Sequence, residues 1–453
     1  MVNRFWFTIY YRGHRGFASM NVELTQNLWE RYGFRDNPFD TRALSLSPGS
    51  LLSVAEAFVG RGMGSTESRL MTNFLRSSGG GRVVVEGDIG VGKTTFVNYH
   101  RYLWQTEAKT KLLTPATEIS VQGDWGMREL LLNVLTLLAG RLSLSMSPKE
   151  AEGDRLLTEL RALTGVLVKE WSSVSGGVSV LGVGGSAGRT KSLAVQRGEI
   201  STAGLREYLH ELLERVRRLG FVGVILHFNN LELLARRDPS RLATFFEEVR
   251  DVLQTPNVYF VFVGYSGMFQ QIIVPQERVR SIFFGRAIHL PPLSREEVHQ
   301  AIARRYQLLA ARPKRWIPPV DDPVVDYLYE VFRGRIRFIM DAITSLVAYL
   351  PEGMTGTLAA EAAQSLLEQL TWERVQNLLT ETELTVLRAA VREVRFTNSS
   401  LVKATGKGKQ NIAKYVNRLL DLHLIHPAER RGRNVYYEIS PDLALLRPRL
   451  RRT

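Results

Sequence analysis

Gly87-Asp88-Ile89-Gly90-Val91-Gly92-Lys93-Thr94 reads glycine, four residues, glycine, lysine, threonine, and Thr95 follows. The glycines let consecutive backbone N–H groups turn inward around phosphate oxygens, and a helix opening at Lys93 adds the positive end of its dipole. Lys93 then reaches the outer phosphates of a nucleoside triphosphate, and the Thr94 hydroxyl sits on a Mg²⁺ ion beside them. Val83-Val84-Val85 ahead of the loop and Phe96-Val97 behind it supply the strand–loop–helix setting this chemistry needs. A chance glycine-rich turn has no reason to hold strand, lysine and threonine in register.

Such a cradle is usually completed by an acidic pair at the end of a second strand, one carboxylate for the metal shell and one for the attacking water. The best candidate strand runs Val224-Ile225-Leu226-His227-Phe228 and ends in Asn229-Asn230. Neutral amides orient water or a metal-bound water but cannot act as a general base. Glu232 is the nearest carboxylate along the chain, two residues late. The expectation is nucleotide binding with slow or absent hydrolysis. His227, inside an apolar strand, reads as a satisfied core histidine rather than a catalytic one.

The elements that must position these groups follow from the rest of the chain. Its 453 residues are enough for about three domains, and 44% hydrophobic with 23% charged residues is ordinary globular composition. The absence of cysteine removes disulfides and thiolate metal sites and fits a reducing cytoplasm. No run of 18 apolar residues predicts a membrane span, and Met1 to Phe17 lacks an apolar signal core, so Met20 is an alternative natural start.

Short apolar runs at Phe221–Phe228, Val258–Gly264 and Ala287–Leu290, with Ala116–Val121, read as strands. They alternate with helical patterns at Met127–Leu142 and Thr202–Leu219, which implies a parallel sheet covered on both faces. The Ser/Gly/Val-rich stretch 172–186 reads as a hairpin or loop inside an insertion near 142–200, with its role open. From Ser294 the pattern turns helical: 296–310, 324–332, 336–350 and 358–370.

A formal charge of +14 and a pI near 10.0 favour a polyanionic partner. From Asn377 onward fifteen Lys/Arg stand against seven Asp/Glu. There Leu384, Leu387, Val391 and Val394 mark one helix, Thr397-Asn398-Ser399-Ser400 caps a short second one over Leu401–Thr405, and Gln410–Leu422 forms a third. The third presents Lys409, Gln410, Asn411, Lys414, Tyr415 and Arg418 outward, residue types suited to phosphates and to base edges in a major groove. A hairpin from Leu424 has the tip Arg430-Arg431-Gly432-Arg433 and returns through Val435–Ile439. Three helices and a basic-tipped hairpin read as a winged helix–turn–helix, with Arg431 and Arg433 against a backbone or in a minor groove. The same module elsewhere serves protein contact.

With these motifs quoted, the chain from about Asn37 to Leu350 resembles AAA+ ATPases of the origin-initiator and STAND-related branch. Asn37-Pro38-Phe39-Asp40 resembles the lead-in of initiator-like and transposition-regulator ATPases. Phe58-Val59-Gly60-Arg61 resembles the box beside the adenine, which implies nucleotide contacts for Gly60 and Arg61. Asn257–Ser266 resembles the sensor-1 strand, with Tyr265 or Ser266 sensing the γ-phosphate. Arg278-Val279-Arg280-Ser281-Ile282-Phe283 resembles the segment that offers an arginine finger, Arg280, to a neighbouring subunit. Leu290–Glu297 resembles the start of the helical lid, and Gly334-Arg335-Ile336-Arg337-Phe338 resembles sensor 2, with Arg337 at the γ-phosphate.

The resemblance implies an α/β fold: a P-loop NTPase parallel sheet with helices on both faces, a helical lid and a C-terminal winged helix–turn–helix. The corresponding segments are an extension and lead-in over 1–50, the nucleotide-binding core over 51–292, the lid over 293–375 and the winged module over 376–453. It also implies ATP and Mg²⁺ as cofactors, a homo-oligomer, and double-stranded DNA as partner, with a transposase, helicase or effector protein as companion. The expected role is ATP-dependent assembly on DNA in replication initiation, transposition or mobile-element maintenance. The alternatives are a STAND-like signalling or antiphage-defence NTPase with a separate effector, and a transcription regulator whose ATPase fold is structural. Whether the chain is an ATPase in turnover stays open because of Asn229-Asn230.

Overall fold

The structure is a computed structural model describing residues 27–46, 50–61, 64–163, 200–231, 234, 239–351, 356–393, 395–431, 434–447 and 449. The readings made on residues 1–26, Glu232, the stretch 172–186, Val394 and Arg433 lie outside the described residues, as does the side chain of Arg431.

Parallel strands build the centre: β1 (Gly80–Glu86), β2 (Leu112–Leu113), β3 (Ile119–Ser120), β4 (Gly223–Asn229), β5 (Val258–Gly264) and β6 (Ile288–His289). Their order is β2-β4-β5-β1-β6, with β3 also paired to β4. β4 and β5 are buried along their whole length because both faces are covered, so their period-2 pleat sorts side chains between two cores. Val84, Val224, Leu226, Phe228, Phe260 and Phe262 meet α3 (Met127–Leu144), α4 (Thr202–Arg218) and α5 (Pro239–Leu253) on one face. Val83, Val85, Ile225, Val261 and Val263 meet α1 (Thr66–Arg76) and α2 (Lys93–Thr106) on the other. His227 and Asn229 share the parity of Ile225 and so face α2. A short α6 (Glu277–Arg280) precedes β6.

The sequence reading placed one strand over Ala116–Val121, whereas only Ile119–Ser120 pairs. The physical reason is local: the carbonyls of Pro115 and Thr117 accept from the buried Arg101 guanidinium rather than from a neighbouring strand.

The lid consists of α7 (Arg295–Leu309), α8 (Asp322–Phe332), α9 (Ile336–Tyr349) and α10 (Ala360–Gln376), the last reaching six residues beyond the predicted end. Its first helix carries a capping box: Ser294 Oγ accepts from Glu297 N–H at 3.2 Å, and Glu297 Oε2 accepts from Ser294 N–H at 2.8 Å. Trp29, Tyr32, Phe34 and Phe39 of the lead-in are buried in the lid core. Phe39 and Phe34 both pack on Tyr306, with centroids 5.7 and 5.1 Å away. Among the described residues no helix is long and apolar enough to cross a membrane.

The C-terminal module is α11 (Glu381–Arg392), α12 (Asn398–Thr405) and α13 (Lys409–Asp421), followed by the antiparallel hairpin β7 (Ile425–Arg431) and β8 (Asn434–Ile439). These three helices and the hairpin are built on their own core of Leu384, Leu387, Val391, Leu401, Ile412, Val416 and Leu419. The second helix starts three residues earlier than predicted because Thr397 and Ser400 cap each other at its N-terminus.

Candidate functional site

The phosphate loop hangs between the C-terminal end of β1 and the start of α2. Gly87 has φ +155°, and a Cβ there would lie 2.5 Å from the Leu290 carbonyl oxygen, so only glycine lets the loop leave the strand at this point. Gly90 has φ +87°, and a Cβ would press on Arg337 and Phe338 of the lid at 3.2 Å. Lys93 Nζ donates to the Gly87 and Asp88 carbonyls at 2.8 Å each. These acceptors hold the lysine over the loop that a phosphate would occupy.

Below the loop is a cleft of about 660 Å³ lined by Gly90, Gly92, Lys93, Thr94 and Thr95, with Asn229, Asn230, Tyr265 and Arg337 among its other walls. The folding thus brings together residues scattered over about 250 positions of sequence. The Arg337 backbone N–H donates to the Gly90 carbonyl at 3.1 Å, which locks the lid against the loop. Its guanidinium is exposed and makes no hydrogen bond or ion pair among the described residues. Thr95 Oγ1 accepts from the Leu44 N–H at 3.3 Å, tying the lead-in to the loop.

Gly60 and Arg61 stand behind the cleft wall instead of lining it. One Arg61 terminal nitrogen donates to the Val91 carbonyl at 3.0 Å and the other to the Pro291 carbonyl. The Arg61 N–H donates to Glu297 Oε1 at 3.2 Å, so the carboxylate that caps α7 also anchors this box. Burial lowers the Arg61 pKa, with Glu297 and Glu67 opposing the fall. Val91 is fully buried, and Asp88 is exposed at the loop's outer edge. Arg280 ends α6 on the surface and does not line this chain's own cleft.

The floor of the cleft is a directed hydrogen-bond relay. Arg101 is fully buried, and burial pulls its pKa down to about 9, partly opposed by Glu118. It is held by neutral acceptors: Thr114 Oγ1 at 2.7 Å, Asn98 Oδ1 at 2.8 Å, the Pro115 and Thr117 carbonyls, and His227 Nδ1 at 3.4 Å. A guanidinium can only donate, so His227 Nδ1 must accept and its proton resides on Nε2. That nitrogen then donates to Asn229 Oδ1 at 3.1 Å, which fixes Asn229 Nδ2 as donor to Thr94 Oγ1 at 3.3 Å. Burial, then the Arg101 charge, push the His227 pKa well below its ordinary value, so the ring is neutral. His227 is a satisfied buried histidine whose tautomer sets the direction of every bond as far as Thr94.

This direction matters for a cation. A carboxylate at position 229 would accept the Thr94 proton; the amide donates instead. Thr94 can still offer Mg²⁺ a hydroxyl oxygen, which suits a hard cation. Asn229 has both amide ends committed, and Asn230, at φ +63°, donates to Ser120 Oγ at 2.6 Å. Of Thr94, Asn229 and Asn230, only Thr94 therefore offers Mg²⁺ an oxygen ligand, with phosphate oxygens and water beside it. Among the described residues no group of three His, Cys, Asp or Glu side chains is placed to hold a metal.

In the C-terminal module the exposed face of α13 carries Lys409, Gln410, Asn411, Lys414 and Arg418, while Tyr415 is half-buried against the module's core. The hairpin also approaches the phosphate loop. Partial desolvation lowers the pKa of His426 on β7 and of Arg335 at the head of α9, and the Asp88 and Glu438 carboxylates oppose the fall in both. Asp88 is therefore within electrostatic reach of the wing.

No protein-family model matches the chain, and no curated protein matches it. Solved structures do follow a similar chain path. One is the Aeropyrum pernix ORC1 protein in complex with DNA, 15% identical, covering 88% of this chain and 94% of that one with a TM-score of 0.42. Another is the Aeropyrum pernix ORC2 protein in its ADP form, 15% identical over 93% of this chain and 99% of that one, with a TM-score of 0.46. A third is domain III of the Thermotoga maritima replication initiation protein DnaA, 13% identical over 70% of this chain and 95% of that one, with a TM-score of 0.36.

Proposed function

We propose that this chain is an ATP-binding switch protein that binds double-stranded DNA through its C-terminal module and assembles in a nucleotide-dependent way. The observation that carries the reading is the cleft in which Lys93, Thr94, Asn229, Asn230, Tyr265 and the exposed Arg337 converge. Backbone donors, a loop lysine and a lid arginine are the groups that recognise a terminal phosphate. Arg337 reports whether that phosphate is present, because its backbone is pinned to Gly90 of the loop while its exposed side chain lines the cleft. Hydrolysis is slow, since amides stand where carboxylates would polarise water.

DNA recognition rests on the exposed Lys409, Gln410, Asn411, Lys414 and Arg418 row and on the net positive charge of the last 77 residues. In the sequence, Arg431 and Arg433 add two more positive charges to this module. Arg280, on the outer surface, suits a neighbouring copy's nucleotide better than its own, which supports a homo-oligomer in which each finger completes the next cleft. The approach of the wing to Asp88 favours a second reading, a signalling NTPase in which the module clamps the loop and a separate effector acts. An anisotropy titration of a duplex with no nucleotide, ADP and ATP, repeated over salt, separates the two. Tighter binding with ATP and a steep salt slope support the switch; no duplex binding at low salt removes it.

A further inference from the structure

If the cleft holds ATP as proposed, a carboxylate must still be found for the attacking water; Asn229 and Asn230 at the end of β4 supply none, and Glu232 lies outside the described residues. Among the described residues the carboxylates lining the cleft are Asp40 and Glu118. Asp40 is occupied: its carboxylate accepts from Arg42 Nε at 2.7 Å. Glu118 makes no hydrogen bond or ion pair with a described residue, although its charge is felt by the buried Arg101 guanidinium.

Glu118 directly precedes β3 and lines the cleft together with Thr94, Ser120, Asn229 and Asn230. β3 pairs with β4 in parallel register, Ile119 beside Phe228 and Ser120 beside Asn229. Ile119 and Phe228 are buried together in the core on the α3 side. Ser120, Asn229 and His227 belong to the opposite face, the one packed against the helix of Thr94 and Arg101, and Glu118 lines the cleft on that side. The bond from Asn230 to Ser120 Oγ ties the tip of β4 to β3 and holds this neighbouring strand end in place. The Thr117 carbonyl, held by Arg101 at 3.2 Å, fixes the residue on Glu118's other side.

We infer that Glu118, one strand over from the usual position, is the general base for the chain's slow ATP turnover. Its carboxylate takes a proton from water as the water oxygen bonds to the terminal phosphorus. The bond from that phosphorus to the bridging oxygen breaks, its electron pair leaves on ADP, and the proton passes on to the released phosphate. The amide pair then has a structural task, Asn229 orienting Thr94 and Asn230 bracing β3.

The test measures two quantities on the full-length chain: affinity for a fluorescent ATP analogue and steady-state phosphate release from ATP. Glu118→Gln keeps shape and removes the basic oxygen. It should leave the affinity within about twofold and cut turnover about a hundredfold, the usual worth of a positioned base. Glu118→Asp should recover part of the rate. Equal turnover in wild type and E118Q overturns the assignment, as does an E118Q variant whose affinity falls as far as its rate. A wild-type chain that binds the analogue but releases no phosphate overturns it too and leaves the nucleotide site standing. A folded wild-type chain that binds no analogue overturns both.

Discussion

Replacing Asn229 by Asp would convert the relay beneath the phosphate loop from a neutral to a charged one, with a consequence that can be sized. Asn229 is only 8% exposed and uses both amide ends, accepting from His227 Nε2 at 3.1 Å and donating to Thr94 Oγ1 at 3.3 Å. Aspartate accepts at both ends, so Thr94 must turn its proton inward and present its lone pairs to the cleft. The new charge stays within the reach of the Arg101 guanidinium through His227, which limits its desolvation cost and keeps the chain folded. A charged hydrogen-bond partner contributes about 1 to 1.5 kcal/mol more than a neutral one, equivalent to roughly tenfold in binding of the Mg²⁺-loaded triphosphate. The assay is a fluorescence titration with ATP in excess EDTA and in millimolar Mg²⁺. In the native chain the two affinities should agree within about threefold, since the amides at 229 and 230 give the cation no anionic ligand. In N229D the Mg²⁺ titration should be about tenfold tighter. A native chain already dependent on Mg²⁺ by about a hundredfold, or an N229D variant without a difference, would refute the reasoning about bond direction.

Three further outcomes follow from the same structure. Arg337→Ala should erase the preference for ATP over ADP, by about tenfold, while leaving ADP affinity intact, and paired titrations of the two nucleotides check this. Lys414→Ala with Arg418→Ala should lower duplex affinity across unrelated sequences and reduce the slope of log affinity against log salt by about two, read by anisotropy. His100 sits buried in α2, its Nε2 against Ser68 Oγ at 3.2 Å, and burial lowers its pKa to about 4. The unfolded chain protonates it near pH 6.5, so its contribution is fully present above that pH and is lost as pH falls toward 4. Denaturant unfolding should lose about 3 kcal/mol from this residue over the window, with His227 acting in the same direction, and His100→Phe should flatten the fall.

The phosphate loop was legible because its chemistry is written in consecutive residues, and Val258–Gly264 was placed to the residue because six apolar side chains in a row, ended by a glycine, suit a strand buried on both faces. The helices of the C-terminal module were equally plain, since Ile412, Val416 and Leu419 repeat at helical spacing and leave the basic residues outward. What the sequence hid was pairing across the sheet. Nothing near Glu118 marks it, because it meets Asn229 only in the cleft wall that forms once β3 lies beside β4, not by spacing along the chain. The Arg101–His227 contact is similarly invisible: a guanidinium 126 residues from an imidazole joins it only once α2 lies on β4. Arg61 was read toward the adenine, while its guanidinium is spent on the Val91 and Pro291 carbonyls, a task that a backbone turn alone reveals.

The account stands on a triphosphate occupying the cleft under Lys93. Calorimetric titration of ATP into the folded chain, alongside Lys93→Ala, addresses this most directly. About one site per chain, weakened by a hundredfold or more when the lysine is removed, is the predicted result. Absence of binding to a chain whose circular dichroism shows it folded, or equal binding by the alanine variant, would contradict it.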